Sequence, residues 1–419
     1  MSTLLKNANV FTKDGIKKID VLLDGKILRT DFKNYEQEIN LEGLYLFPGF
    51  VDVHVHFREP GFEYKETIKT GSMAAAHGGY TAVCTMPNLN PVPSTLSNLQ
   101  KQLDIIEKDS LIHIYPIGAI TMEQKGRGEL SHIEEIAPYV IAFSDDGKGI
   151  QNENLMREAM KQISKAGKFI TAHCEVESEL KPGGCINEGE YSKLHGHVGI
   201  NNASEYLEVQ RDIKLAQELD AKFHVCHVST KESVNLIREA KNKGVKVTAE
   251  TAPHYLIFTD NDLKEDGKWK MNPPIRAAQD RQALLEGIKD GTIDCIITDH
   301  APHSKEEKSK GLDGSAFGIV GLETCFAAMY KNLVLKNVIS LEKLIELMCV
   351  NPRKIFGIKG GYIEDNCDAD FVIMDLNKLY KVDTDKFYSM GKSTLFEGME
   401  VQGETVATYV GGEKVYARD

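Results

Sequence analysis

From Phe50 onward, short β-branched apolar runs alternate with amphipathic stretches. Eight runs follow one another, at 50–56, 80–86, 111–118, 139–143, 168–173, 222–228, 245–250 and 294–299. Few folds accommodate this, because consecutive parallel strands need a long crossover that also covers the sheet. Apolar positions at 3–4 spacing with Lys- and Glu-rich outer faces predict helices near 65–77, 95–108, 151–166, 203–219, 231–243 and 279–290. Two further helical stretches follow at 320–332 and 340–356. Eight strand–helix units in series predict an α/β protein with a (β/α)8 barrel over residues 50–357, longer than the usual ~250 residues because of inserted loops.

The flanks have another texture. Residues 1–49 alternate apolar and polar around Asp14-Gly15, Asp24-Gly25 and Glu42-Gly43, a pattern of short antiparallel strands. The β texture returns over 358–419. Short strands need partners, so both chain ends are expected to join in one small β-sandwich beside the barrel.

The formal net charge of −12 argues against a nucleic-acid surface. It also means that an anionic substrate would need cations concentrated in its pocket. No apolar run approaches the ~18 residues of a membrane span, and Met1–Lys6 lacks a secretory layout. Eight cysteines without a CxxC pair suit reduced thiols in the cytoplasm.

Functional side chains of a barrel gather at the carboxyl ends of its strands. The first strand ends on His54 and His56, which share a face, with Arg58 just beyond. Later strands deliver Asn88, the pair Asp145-Asp146, His173, His227 and Asp299, the last followed by His300 and His303. A lone histidine at a strand end is more often structural, and His77, His113, His132, His195, His197 and His254 are read that way. Neighbours on an extended chain point opposite ways, so only one of Asp145 and Asp146 should enter the site and the other is a turn or cap residue, a part the family motif below leaves to Asp145. Alternation likewise turns Cys174 and Cys226 away. Imidazole and carboxylate without thiolate favour zinc, with manganese or cobalt as alternatives. One ion is possible; six ligands with a shared carboxylate suit two.

The block Pro48-Gly49-Phe50-Val51-Asp52-Val53-His54-Val55-His56-Phe57-Arg58-Glu59-Pro60-Gly61 resembles the signature of the cyclic amidohydrolases, and specifically the dihydroorotases. Thr85–Asn88, Phe143–Gly147, Thr171–Glu175, Cys226–Thr230 and Thr298–His303 agree with it. The resemblance implies that His54, His56 and Asp299 hold one zinc ion and His173 and His227 a second, bridged by Asp146 and a hydroxide. Many relatives bridge with a carboxylated lysine. Here no lysine precedes Lys148 at that strand end, as in the long-chain bacterial (type I) group. The implied activity is the reversible cyclisation of N-carbamoyl-L-aspartate to L-dihydroorotate in pyrimidine (UMP) biosynthesis, with Asp299 as the proton-transferring group. Arg58, Asn88 and His303 would surround the substrate's side carboxylate, and Asn272 with the backbone of Phe317 and Gly318 would meet the ring. The Gly-punctuated stretch 302–318 reads as a mobile lid. The family also implies a homodimer and association with aspartate transcarbamoylase.

Two blocks depart from the family pattern, Asn366-Cys367-Asp368-Ala369-Asp370 and Lys392-Ser393-Thr394-Leu395-Phe396. Both lie far in sequence from the expected ligands. Two rival readings are a hydantoinase or allantoinase, which needs no acidic group on its substrate, and a non-catalytic relative that supports aspartate transcarbamoylase. The second would be expected to lose metal ligands, and this chain keeps all six.

Overall fold

The computed structural model describes residues 2–418. Eight parallel strands follow one another from Phe50: β1 (Phe50–Val55), β2 (Tyr80–Thr85), β3 (His113–Pro116, continuing as Gly118–Ala119), β4 (Phe143–Ser144), β5 (Ile170–Ala172), β6 (Phe223–Val225), β7 (Val247–Thr251) and β8 (Cys295–Ile296). Each pairs in parallel with the next. The ring closes where Val55 bridges His300 and the His56 N–H donates to the His300 carbonyl at 2.8 Å. This closed ladder is the barrel.

The crossover helices begin where their caps dictate. Thr67, Thr95, Asn152 and Thr230 each accept a backbone N–H from the first helical turn. The helix Glu153–Lys165 buries Met156, Ala159, Met160 and Ile163, and Lys231–Asn242 buries Val234, Ile237 and Ala240. These apolar stripes seat both helices on the sheet. Strand four starts later than expected. Residues 137–139 form a 3-10 turn around Pro138, which lacks the N–H a ladder needs. The two late helical stretches each contain a wide π turn, at Tyr330–Val334 and Glu346–Val350.

Both chain ends build one nine-stranded sheet. Its centre places Tyr45–Pro48 between Ser2–Thr12 and Phe371–Lys381. Expected as a run of antiparallel strands, the N-terminal part is mixed. Ser2–Thr12 pairs antiparallel with Gly15–Asp24 but parallel with Gln37–Asn40 and Tyr45–Pro48. Both chain ends build this unit together, as expected, and its strands form one continuous hydrogen-bonded sheet. The Ala369 N–H donates to the Lys26 carbonyl, and the Gly412 N–H to the Ala369 carbonyl. Period-two alternation divides its side chains. Leu46, Phe371 and Ile373 join the sheet's own core, whereas Phe47, Val372 and Met374 join that of the barrel.

Gly49 marks the passage from sheet to barrel. A β-carbon there would lie 2.1 Å from the Thr81 methyl, so only glycine permits this approach. The buried Arg353 secures the same point, donating to the Gly49 and Lys359 carbonyls and to Thr81.

Candidate active site

The carboxyl ends of β1, β4, β5, β6 and β8 bring His54, His56, Asp146, His173, His227 and Asp299 together, all buried. Atoms of His54, His56 and Asp299 lie within 4.8 Å of one another, as do atoms of His54, Asp146 and His227. His56 Nε2 is 3.2 Å from Asp299 Oδ1, and His173 Nδ1 is 3.0 Å from His227 Nε2. Asp146 lies between the two histidine pairs. Its Oδ1 is 3.3 Å from His54 Nε2 and 3.6 Å from His227 Nε2, while Oδ2 is 3.5 Å from His56 Nε2.

These residues fit a metal centre. His54 Nε2 and Asp146 Oδ1 are buried without a hydrogen-bond partner, although burial of such atoms is costly unless something ligates them. Burial alone would raise the pKa of Asp146, yet the charge of His54 and the neighbouring imidazoles of His227 and His56 hold it well below the usual carboxylate range. For Asp299, burial is likewise outweighed by His56 and His54. Both carboxylates are therefore ionised and able to bind a cation.

Asp145 has a separate task. Its carboxylate accepts the N–H groups of Ile120, Thr121 and Gly126 and the Thr121 hydroxyl, so it fixes the loop after β3. Of the expected structural histidines, His77, His113, His132, His195 and His197 pair with carboxylates away from the centre. His254 is different. It is buried with Nε2 unpartnered, and burial, opposed by the field of Asp299 and aided by His227, sets its pKa at about 4, so a neutral imidazole borders the site. The Cys226 sulfur lies within 4.8 Å of ligand atoms on His54 and Glu250 and does not line the cavity beside the centre.

Sequence reasoning missed the carboxylates behind the ligands. Glu250 on β7 lies 2.7 Å from His54 Nδ1 and 3.0 Å from His224 Nε2. It thereby fixes the ring of His54 with Nε2 facing the centre. Asp52 accepts the His54 N–H at 3.0 Å and the Thr298 N–H at 2.9 Å, joining β1 to the loop after β8. Glu175 accepts from Asn272 at 2.8 Å and faces His173 Nε2 at 3.7 Å. A signal existed for two of them: Glu250 interrupts an apolar strand, and Asp52 shares the two-residue alternation of His54 and His56.

A cavity of about 220 Å³ opens beside the centre, lined by Arg58, Asn88, Asn272, His303, Phe317 and Gly318 together with His56, Asp146, His173, His227 and Asp299. Arg58 donates to the Pro302 carbonyl at 3.2 Å, and Asn88 to the Asp146 carbonyl at 2.8 Å. The imidazole of His303 donates from Nε2 to the Phe317 carbonyl at 2.8 Å. Burial, then Arg58 and Lys65, push the His303 pKa down to about 3, so the ring is neutral. The segment over this cavity is structured. Lys305–Lys308 and Gly311–Gly314 are short helices, and buried Lys308 donates to the Lys270 and Ala316 carbonyls. Gly318, at φ +125°, passes so close to Ala301 that a β-carbon would lie 2.7 Å from its methyl.

A closed parallel barrel with four imidazoles and two carboxylates at one rim defines a metal-dependent hydrolase of the amidohydrolase type. A dihydro-orotase-like family model matches residues 43–233. Curated dihydroorotases are similar along their whole length. That of Fusobacterium nucleatum is 47% identical over 418 residues, covering 99% of this chain and 98% of its own. That of Bacillus cytotoxicus is 44% identical, covering 100% and 99%. Among solved structures, the L-hydantoinase (dihydropyrimidinase) of Arthrobacter aurescens superposes with a TM-score of 0.89 at 28% identity, covering 99% of this chain and 96% of its own. The dihydropyrimidinase of Brevibacillus agri reaches 0.86 at 22%, covering 100% and 95%. The chain belongs to the dihydroorotase family.

Proposed function

We infer that the chain is a dihydroorotase of pyrimidine biosynthesis, interconverting N-carbamoyl-L-aspartate and L-dihydroorotate with loss or gain of water. One observation carries the reading: a metal-ligand cluster adjoins a recess where Arg58, Asn88 and His303 converge. The full-length similarity to dihydroorotases supports it.

His54, His56 and Asp299 would hold one zinc ion and His173 and His227 another, with Asp146 between them. Bound there, such ions lower the pKa of water toward about 7 and polarise an amide carbonyl. The residues supply the rest. Asp299 takes the proton of the attacking water and gives it to the departing ring nitrogen; in ring closure it removes the amide proton. The guanidinium of Arg58 pairs with the substrate's side carboxylate in the bidentate geometry that a lysine lacks. Asn88 donates to the same group, and neutral His303 borders it. Asn272 and the backbone of Phe317 and Gly318 hold the ring, and the segment 302–318 closes over it to exclude water.

The hydantoinase reading has the structural neighbour in its favour. It leaves the Arg58 recess without a task. Side-by-side assays with dihydroorotate, hydantoin and allantoin decide between them: turnover of dihydroorotate alone is expected, and turnover of only the other two would reject this assignment. No helix among the described residues is long and apolar enough to cross a membrane. We place the enzyme in the cytoplasm as a homodimer with aspartate transcarbamoylase as a partner, which co-purification and sedimentation would test.

A further inference from the structure

A further group of side chains of metal-ligand type lies at the outer end of the lid segment. It is assembled from three stretches of chain. Cys185 precedes the short strand Ile186–Asn187, His197 precedes its partner Gly199–Ile200, and Asp313 sits on the lid helix Gly311–Gly314. Cys185 Sγ is 3.4 Å from Asp313 Oδ1, and His197 Nδ1 is 2.9 Å from the same oxygen. All three ligand atoms lie within 4.8 Å of one another. Tetrahedral zinc, with bonds of ~2.3 Å to sulfur and ~2.0 Å to oxygen or nitrogen, separates sulfur from oxygen by about 3.5 Å and nitrogen from oxygen by about 3.3 Å. The first separation is already met. The second needs a shift of a few tenths of an ångström, which the side chain of Asp313, 73% exposed, can make.

The surroundings point the same way. The other ring nitrogen, His197 Nε2, is 3.0 Å from both carboxylate oxygens of Glu265. A carboxylate behind the imidazole is how metal-ligating histidines are oriented and made more basic. Cys185 is buried, and only 8% of the His197 side chain is exposed, so two of the three donors are held in place before any ion arrives. Lys270 donates to the Asp313 backbone carbonyl at 2.8 Å, which steadies the lid helix that brings the third.

We propose that Cys185, His197 and Asp313 form a divalent-metal site of the zinc class, separate from the barrel centre, that fastens the lid to the insertion after β5. Thiolate and imidazole donors select zinc or cobalt over magnesium or calcium. On loading, the metal replaces the thiol proton that Sγ directs at Asp313, and both that proton and the one on Nδ1 leave to solvent. Water completes the coordination. The site is independent of which cyclic amide the barrel hydrolyses.

Cobalt(II) substitution of the full-length chain tests this, because the six barrel ligands contain no thiolate. A thiolate-to-cobalt charge-transfer band is expected in the wild type and in Cys226→Ser, and is lost in Cys185→Ser. Asp313→Asn, on the exposed lid, should fold normally and bind one metal ion fewer per chain. Trypsin cleavage at Lys305, Lys308 and Lys310 should slow about tenfold on metal loading of the wild type but not of Asp313→Asn. A wild type lacking the band, a band that survives Cys185→Ser, or unchanged metal content in Asp313→Asn would overturn the proposal, whatever the substrate assays give.

Discussion

Arg58, His227 and Asp299 all hold positive backbone φ, at 62°, 29° and 48°. Non-glycine residues avoid this region, and its use at three site positions marks strain retained for geometry. Asp299→Asn removes the proton acceptor while keeping the shape, so turnover should fall about 10²–10⁴-fold with much of the metal retained; near-normal rates would contradict the assigned role. Glu250→Gln tests the support behind His54. The amide cannot serve two imidazoles as the carboxylate does, so metal affinity should fall about 10–100-fold in a chelator competition. The histidines and aspartates at strand ends were legible because strand periodicity fixes which side chains face the rim. Glu250 and Asp52 act through another residue, and although each is a carboxylate in an apolar strand, only the folded ladder shows which histidine it supports.

At the level of elements, the helices fell close to their periodic segments because each buries an apolar stripe and four of them start at a side-chain cap. Strand four and the N-terminal strands were less legible. A two-residue strand is defined by its neighbours' ladders, and parallel or antiparallel pairing depends on where the chain returns. The contact between β3 and the terminal sheet offers a pH test. His113 Nε2 is 2.9 Å from Asp370, and that hydrogen bond raises the imidazole pKa. A histidine pKa raised on folding adds stability below its unfolded value of about 6.5, and the gain disappears as pH rises through the folded value. The His113 side chain is 45% exposed, so screening limits the gain to ~1 kcal/mol or less. His113→Gln should therefore lower Tm slightly at about pH 5.5 and leave it unchanged at about pH 8.5. An equal loss at both would show that packing, not charge, joins the elements.

For the whole molecule, barrel and terminal sheet are continuous in packing. Phe47 of the terminal sheet lies 6.2 Å from Phe326 of the barrel between ring centres, and the Thr408 hydroxyl donates to the Ala76 carbonyl at 2.6 Å. The barrel rim concentrates ionised carboxylates that a cation would neutralise, so the folded state should bind metal far better than the unfolded chain. Chelation should lower Tm, and added zinc should restore it in a concentration-dependent way, worth ~4 kcal/mol at a thousandfold excess over Kd. An unchanged Tm would mean that the centre contributes nothing to stability. The sequence by itself determined the barrel, the six ligand candidates and the β character of both ends, because periodicity and strand-end position are local properties of the chain. Only the tertiary structure decided that the terminal strands form one curled sheet, that Glu250 holds His54, and that Cys185, His197 and Asp313 meet. Those contacts join residues tens to hundreds of positions apart, and chain closure alone brings them within bonding range.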